Sequence, residues 1–293
     1  MKTTFKTVLG VGLVAFAQGS IAEQESSLQL DTDAITVSGL SSGGFMATQF
    51  HLANSDKVSG AAMLASGPYY CAQNDIAVAL GQCVDKVNSP LDVKALSAQA
   101  KSWEQAGKIP PLANLKDDNV WLLHGTADTR VNSAVSEALY QQYQQWVPAE
   151  QLTYVNDKPF SHVFPTVDAG GSCLDSASPY IGKCEYDAAG ELLTALLGEL
   201  NAPDDVLEGE VISYDQQEIA GDDASTLAEK GYAYIPASCS NGETCRVHVS
   251  FHGCNQYAEA VDMAYIEQTG LNRWADDNQL VVIYPQTRKS LIM

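Results

Sequence analysis

Residues 39–43 have the sequence GLSSG, which places a serine between two glycines in the spacing G-x-S-x-G. A β-branched run at residues 35–37 precedes it, and an apolar periodic segment begins at Phe45. This order predicts a strand, a sharp turn and a helix, an arrangement that exposes a nucleophilic hydroxyl. Ser41 would stand at the tip, and the backbone N–H of Ser42, at a helix N-terminus, would point to where an oxyanion forms. An ordinary Gly/Ser turn is the alternative.

A carboxylate lies in the loop after a short apolar strand predicted at residues 119–123. The loop sequence HGTAD ends in Asp128. A carboxylate just past a central strand can orient a catalytic histidine. The alternative is that Asp128 only caps the helix predicted over residues 132–146, because aspartate is common before a helix.

His162 is the candidate general base. It lies in the loop SHVFP, which follows a strand predicted at residues 151–155. Ser41, Asp128 and His162 occur in the chain order that α/β-hydrolases use for nucleophile, carboxylate and base. Of the five histidines, it is the one that meets this order in a loop after a strand.

A later apolar strand, predicted at residues 246–251, ends in His252-Gly253-Cys254. An apolar strand that ends in His-Gly before a helix is typical of the loop that supplies a second oxyanion-hole N–H in esterases. In most such enzymes this loop precedes the nucleophile, whereas here it follows the other candidate residues. A circular permutation of the chain explains that order and is tolerated when native termini lie close together. A plain turn is the alternative.

The elements that must position these groups alternate between strands and helices. This alternation predicts an α/β fold with a mostly parallel central sheet flanked by helices. Further strands are predicted at residues 57–66, 232–235 and 280–284, and further helices at 92–106, 185–200 and 258–276. An acidic stretch begins near residue 201 and could suggest a linker, but the strands after it favour one continuous domain.

The first 22 residues are typical of a secretory signal: Lys2 and Lys6, an apolar run, and a small-residue site ending at Ala22. The apolar run is too short to cross a bilayer. We therefore expect residues 1–22 to be a signal peptide and residues 23–293 to form a single α/β-hydrolase catalytic domain. In it, residues of about 207–286 would supply the early sheet strands. A buried N-terminal helix is the alternative to the signal.

The seven cysteines fit an exported protein, because disulfides persist in an oxidising compartment. Six of them form pairs that are close in sequence, which predicts local disulfides: Cys71 with Cys83, Cys173 with Cys184, and Cys239 with Cys245. Cys254 is the seventh, and an odd cysteine in an exported protein calls for an explanation. The cysteines and histidines lack zinc-site spacing, so we expect neither a metal nor a cofactor.

The chain carries 36 acidic and 16 basic residues, a formal net charge of −20. Such a charge repels nucleic acid and anionic membranes, and we expect neither as a partner. It suits an exported, monomeric protein that acts on a neutral substrate, although solubility alone also explains it.

Taken together, these motifs resemble the single-domain, circularly permuted poly(3-hydroxybutyrate) depolymerases, a family of the α/β-hydrolase superfamily. The resemblance covers about residues 35–286. The motifs that carry it, in chain order, are SGLSSGGFMA, GPYYCA, GTADTRV, SHVFPT, SPYIGKCEYDAAG, FHGCNQ and VVIYPQ. Several motifs in one order are more specific than any one of them.

The resemblance implies a role for each candidate residue. Ser41 would be the nucleophile, His162 the general base and then acid, and Asp128 the carboxylate that orients the imidazole. The backbone N–H groups of Ser42 and Cys254 would form the oxyanion hole.

The end of the chain departs from the family. Relatives continue past the YPQ strand into a Gly-Cys-Trp segment, whose cysteine would pair with Cys254 and whose tryptophan would line the cleft. Residues 287–293 do not match that segment. On this resemblance we expect the C-terminal end to be truncated.

We therefore expect a secreted, periplasmic or extracellular serine esterase that hydrolyses poly(3-hydroxybutyrate)-type polyesters through an acyl-enzyme. A carboxylesterase for small or plant-derived esters, of the acetyl or feruloyl type, could use the same three residues. An inactive, truncated protein that binds esters without turnover is an alternative from another class.

Overall fold

The structure is a computed structural model that describes residues 28–84 and 91–289. The predicted signal peptide lies outside the described residues. The strands are β1 Gln29–Leu40, β2 Val58–Leu64, β3 Asn119–Leu123, β4 Leu152–Val155, β5 Phe164–Thr166, β6 Gly171–Ser172, β7 Ile181–Lys183, β8 Glu210–Asp215, β9 Lys230–Ile235, β10 Thr244–Phe251 and β11 Leu280–Tyr284. The α-helices are α1 Ser42–Ala53, α2 Ile76–Gln82, α3 Val93–Gln105, α4 Ser133–Tyr143, α5 Ala188–Leu197, α6 Gln216–Ala220, α7 Ala237–Ser240, α8 Ala258–Val261, α9 Ala264–Gln268 and α10 Leu271–Asp276. Short 3₁₀ helices cover Leu112–Asp117, Ala149–Gln151 and Gly221–Thr226.

Eight strands form one sheet in the order β4-β3-β2-β1-β10-β11-β9-β8. The six strands from β4 to β11 in that order pair in parallel, and β9 and β8 add an antiparallel edge. The predicted mostly parallel sheet is confirmed. The strands contributed by residues 210–284 lie in the same sheet as those of residues 29–155. The circular permutation, a relation to other chains, stays a prediction.

Helices cover both faces of the sheet because its central strands are apolar on both sides. In β2, Ala61 and Met63 belong to a core shared with residues of α1, α3 and α4. Ala62 and Leu64 point the other way and join a core formed with α5, α9 and α10. The alternation of a strand thus divides the interior into two layers. No helix within the described ranges is long and apolar enough to span a bilayer.

The helix predicted over residues 258–276 is wrong as a single element. The structure has three short helices there, α8, α9 and α10. The breaks coincide with left-handed backbone at Asp262, where φ is 53°, and at Gly270, where φ is 87°. A residue with positive φ cannot continue a right-handed helix. The acidic stretch that begins near residue 201 is not a loop throughout, because Glu210–Asp215 forms the edge strand β8.

The central strand pair β1 and β10 carries a buried histidine. The ring of His248 is fully buried, and its Nδ1 and Nε2 atoms lie 2.9 Å and 2.8 Å from the hydroxyl oxygens of Thr36 and Ser38. Burial lowers the pKa of His248 from 6.5 to about 3. Burial also lowers the pKa of His124 and of His252.

These shifts predict an acid-sensitive fold. Between pH 6.5 and about 3 the unfolded chain binds a proton at residue 248 that the folded chain excludes. The free energy of unfolding should therefore fall as the pH is lowered through this window, by up to about 1.4 kcal/mol per pH unit from this one group. Urea unfolding at pH 4 to 7 measures the slope. The control is His248→Gln, which should have a shallower slope than the parent; equal slopes would contradict the assignment.

Candidate active site

Ser41 lies at the turn between β1 and α1 with φ 57° and ψ −123°. Such a backbone is strained for a residue with a side chain and is held by its surroundings. The flanking glycines allow the turn: a Cβ atom on Gly39 would overlap the backbone of Gly43, and one on Gly43 would overlap the carbonyl of Phe251. This is the strand, turn and helix that the G-x-S-x-G spacing predicts.

Asp128 and His162 form a close pair. The Nδ1 atom of His162 lies 2.7 Å from Oδ2 of Asp128, and the side chains are 9% and 1% exposed. The other carboxylate oxygen, Oδ1, accepts hydrogen bonds from the backbone N–H groups of Arg130 and Val131 at 2.7 and 3.0 Å. A carboxylate accepts from Nδ1 only when that nitrogen carries a proton, which leaves Nε2 of a neutral His162 as an acceptor.

The electrostatics keep Asp128 ionised. Burial alone would raise its pKa, but the hydrogen bond and charge of His162 and the two backbone donors together lower the pKa of Asp128 below its usual value. The alternative that Asp128 caps a helix is wrong. The cap of α4 is Asn132, whose side chain accepts from the N–H of Ala134.

The His252-Gly253-Cys254 loop lies beside the serine. Strands β1 and β10 are parallel, with Gly39 opposite Phe251, so their C-terminal ends meet at one edge. A Cβ atom on Gly253 would come within 3.4 Å of the Cβ of Ser41. Ser42 and Cys254 line the same cleft as Ser41 and His162.

Hydrogen bonds from side chains hold this loop. The N–H of Gly253 donates to Oε1 of Gln256 at 2.8 Å, and Nε2 of Gln256 donates to the carbonyl of Pro179 at 2.9 Å. His252 is bonded through both ring nitrogens: Nδ1 donates to the carbonyl of Gly253, and Nε2 accepts from the N–H of Thr287. The role of Gln256 was not predicted, because a glutamine five residues past a strand gives no signal of its own.

The cleft has a volume of about 520 Å³. One wall is α2 and the segment before it, for which the sequence predicted only the Cys71–Cys83 disulfide. The signal for this helix is Asp75 before an apolar run, and its carboxylate does cap α2. Ile76 and Leu80 of α2 line the cleft and are 54% and 55% exposed. The cleft thus joins a candidate nucleophile and base to an apolar wall.

The six cysteines that lie close in sequence are joined in three disulfides: Cys71–Cys83, Cys173–Cys184 and Cys239–Cys245. The first closes the segment that carries the α2 wall. The second closes the loop between β5 and α5, which also supplies Tyr180 to the cleft. Disulfides thus fix two of the segments around the candidate site.

No family model matches the chain. A poly(3-hydroxybutyrate) depolymerase of Delftia acidovorans is 38% identical over 285 residues, which are 95% of this chain and 57% of that protein. A polyhydroxybutyrate depolymerase of Talaromyces funiculosus is 35% identical over 289 residues, 96% of this chain and 83% of that one. The chain thus spans little more than half the length of the Delftia relative.

Two solved structures are similar to the chain. One is a PHB depolymerase from Penicillium funiculosum, and the other is a serine-to-alanine PHB depolymerase variant in complex with an R3HB trimer. Each superposes with a TM-score of 0.82 at 35% identity, over 90% of this chain and 82% of the other.

The pairing of Asp128 with His162 generates a prediction. Asp128→Asn keeps the size of the side chain but removes the charge and favours the wrong tautomer of the imidazole. We expect the rate at which Ser41 reacts with a fluorophosphonate to fall by orders of magnitude, on the order of 10⁴-fold if the pair acts as in serine proteases. A time course of labelling, quenched at intervals and read on a gel, measures this rate. Asp75→Asn, at the cap of α2, is the control and should react near the parent rate; equal rates in all three proteins would refute the role of Asp128.

Proposed function

The chain belongs to the polyhydroxybutyrate depolymerase family of serine carboxylic ester hydrolases, and we propose that it hydrolyses the ester bonds of 3-hydroxybutyrate-type polyesters. The observation that carries the proposal is that strained Ser41 and carboxylate-bound His162 open onto one cleft. The name of one similar structure includes an R3HB trimer, which is a short piece of such a polyester.

The proposed reaction begins at Ser41. Nε2 of His162 takes the hydroxyl proton as the oxygen attacks the ester carbonyl. Asp128 holds the imidazole in the required tautomer and stabilises the imidazolium that forms. The tetrahedral intermediate collapses when the imidazolium gives its proton to the leaving alkoxide, and the alcohol end of the polymer departs. Ser41 is left as an acyl ester.

Deacylation repeats these steps with water. His162 removes a proton from the water as it attacks the acyl ester, and then returns a proton to the Ser41 oxygen as the hydroxyacid fragment leaves. In both halves the oxyanion would be stabilised by the backbone N–H groups of Ser42 and Cys254. Loss of one such donor typically raises the barrier by roughly 2.7 to 4 kcal/mol, so the position of the Cys254 loop is a major determinant of the rate.

The cleft supports a neutral, partly apolar substrate. Phe45, Tyr70, Ile76 and Leu80 line it. Such a wall suits the methyl-bearing repeat of a 3-hydroxyalkanoate ester, whose burial is favourable and needs no charged partner. Among the described lining residues Arg130 is the only Lys, Arg, Asp or Glu.

We also propose that the protein acts after export. The support is the N-terminal sequence together with three disulfides, which persist only in an oxidising compartment. Polyester granules outside the producing cell would then be accessible to it.

The direct test removes the nucleophile. Ser41→Ala should lose measurable hydrolysis of p-nitrophenyl butyrate and of a 3-hydroxybutyrate polymer film, while the circular dichroism spectrum and Tm stay near those of the parent. Ser42→Ala, which keeps its backbone N–H, is the control and should retain most of the activity. A Ser41→Ala protein as active as the parent would refute the assignment.

The same assays separate the alternatives. Parent activity on soluble esters without release of hydroxyacid from the film would indicate a small-ester carboxylesterase. A folded parent that neither turns over esters nor reacts with a fluorophosphonate would indicate a binding protein.

Arg130 generates a further prediction about the substrate. Its guanidinium is exposed in the cleft and donates to the hydroxyl and carbonyl oxygens of Ser176 at 3.3 and 3.5 Å. A polyester has one charged end, its terminal carboxylate, and an exposed ion pair with it is worth up to about 1 kcal/mol.

We expect Arg130→Gln to lower kcat/KM for a 3-hydroxybutyrate trimer with a free carboxylate by about 3- to 5-fold. The trimer methyl ester, which has no charge, should be hydrolysed at the parent rate. Lys57→Gln, which removes an exposed charge that pairs with Asp33 in the parent, is the control for net charge. Equal losses on both trimers would show that Arg130 has only a structural role.

A further inference from the structure

A chain of buried polar side chains lies beneath the candidate site, in the middle of the sheet. Thr36 and Ser38 of β1 and His248 and Ser250 of β10 are all fully buried. Tyr265 of α9, 1% exposed, packs over them. A buried polar group destabilises the fold unless it is hydrogen-bonded, so five adjacent ones need an explanation beyond packing.

The hydrogen bonds of this chain have one consistent direction. The carbonyl of Phe251 can only accept, so the hydroxyl of Tyr265 donates to it, at 2.9 Å. The hydroxyl of Tyr265 has then used its single proton and must accept from Ser250, at 3.0 Å. Ser250 in turn accepts from Ser38, at 3.2 Å.

The same argument fixes the histidine. Ser38 has given its proton to Ser250, so it accepts from Nε2–H of His248 at 2.8 Å. Burial lowers the pKa of His248, so the ring is neutral and carries a single N–H. With Nε2–H as that donor, Nδ1 is the acceptor, and the hydroxyl of Thr36 donates to it at 2.9 Å. Every hydroxyl proton of the chain is used once, and the chain ends on the carbonyl of Phe251.

The carbonyl of Phe251 lies at the start of the His252-Gly253-Cys254 loop. Phe251 is the last residue of β10, and His252, Gly253 and Cys254 follow it. The carbonyls of Phe251 and His252 lie so close to the first turn of α1 that no side chain could replace the hydrogen of Gly43. A rotation of the peptide after Phe251 would therefore move the loop relative to the N-terminus of α1.

The other side of the loop is anchored separately. Gln256 binds the N–H of Gly253, and Thr287 donates to His252. These two bonds hold the loop from the buried side chain of Gln256, just after it, and from the chain after β11. The bond from Tyr265 reaches the loop from the interior, through the carbonyl of Phe251, the residue just before the loop.

We propose that Tyr265 is a positioning residue for the oxyanion hole, and that the chain from Thr36 to Ser250 orients its hydroxyl. The proposal rests on the proposed function and deepens it. Tyr265 acts through the peptide of Phe251 and does not touch the substrate. Its hydroxyl fixes the orientation of that peptide and thereby the distance between the N–H groups of Cys254 and Ser42. An oxyanion hole gains its effect from donors that are already in place when charge develops.

The substitution Tyr265→Phe tests the proposal, because it removes the hydroxyl that binds the carbonyl of Phe251 and leaves the ring in place. Removal of an oxyanion-hole donor lowers kcat by about 10²- to 10³-fold, and a displaced donor should have part of that effect. We expect kcat for p-nitrophenyl butyrate to fall about 10-fold or more, with KM changed less than twofold. Affinity for a trifluoromethyl ketone, which forms an oxyanion on Ser41, should fall by the same factor as kcat/KM.

The chain offers a matched control in Tyr284→Phe. The hydroxyl of Tyr284 is also buried and donates to Oδ1 of Asn272 at 2.6 Å. Both variants lose a buried tyrosine hydrogen bond and should lose comparable stability, but only Tyr265→Phe should lose kcat. Similar kcat values in the two variants, or a kcat of Tyr265→Phe equal to that of the parent, would overturn the proposal.

Ser250→Ala is the second variant, for the case that Tyr265→Phe does not fold. It removes the donor to Tyr265 and leaves the last bond of the chain, so its loss of kcat should be smaller than that of Tyr265→Phe and again without a change in KM. A Ser250→Ala protein with parent kinetics would overturn the role of the chain. An inactive parent would refute the proposed function and this inference with it, whereas an active parent with unaffected variants would refute the inference alone.

Discussion

The parallel pairing of β1 with β10 is the constraint on which the candidate site depends. Parallel strands end at the same edge of a sheet, and the register that sets Gly39 opposite Phe251 brings the serine turn and the His252-Gly253-Cys254 loop together there. The two strands come from opposite ends of the described chain. The packing is so close that glycine is required at both Gly39 and Gly43. A slip of one residue would separate the turn from the loop and reverse the buried faces of both strands.

The sequence predicted the parts of the site that rest on local chemistry. The turn at Ser41 follows from glycine spacing between a β-branched run and an apolar helix, and the structure has the strained backbone that this spacing implies. The order of Asp128 and His162, each past a short strand, predicted a carboxylate and an imidazole at one edge, and they lie 2.7 Å apart. The three disulfides follow from cysteines that are close in sequence. The assignment of catalytic roles remains a proposal.

The parts that were not predicted depend on contacts between distant segments. Apolar periodicity does not reveal the left-handed backbone at Asp262, which interrupts the helix expected after the loop. The edge strand β8 is acidic and half exposed, so composition alone suggested a loop there. Thr36, Ser38 and Ser250 are small or β-branched residues that look ordinary in a strand. Their role is visible only in the folded chain, where the ring of His248 lies between the hydroxyls of Thr36 and Ser38. His248 is more than 200 positions after both residues in the sequence.

The wall formed by α2 has a consequence for redesign of the protein. None of the residues of α2 is buried, and the segment is closed on itself by the Cys71–Cys83 bridge, whose Cα atoms are 6.0 Å apart. Such a segment is a self-contained cassette. The residues between the two cysteines can be replaced, or changed in number, without loss of a buried core residue. Under the proposed function, substitutions in this cassette change the wall that faces the substrate, while the turn and the loops that carry Ser41, Asp128 and His162 stay as they are.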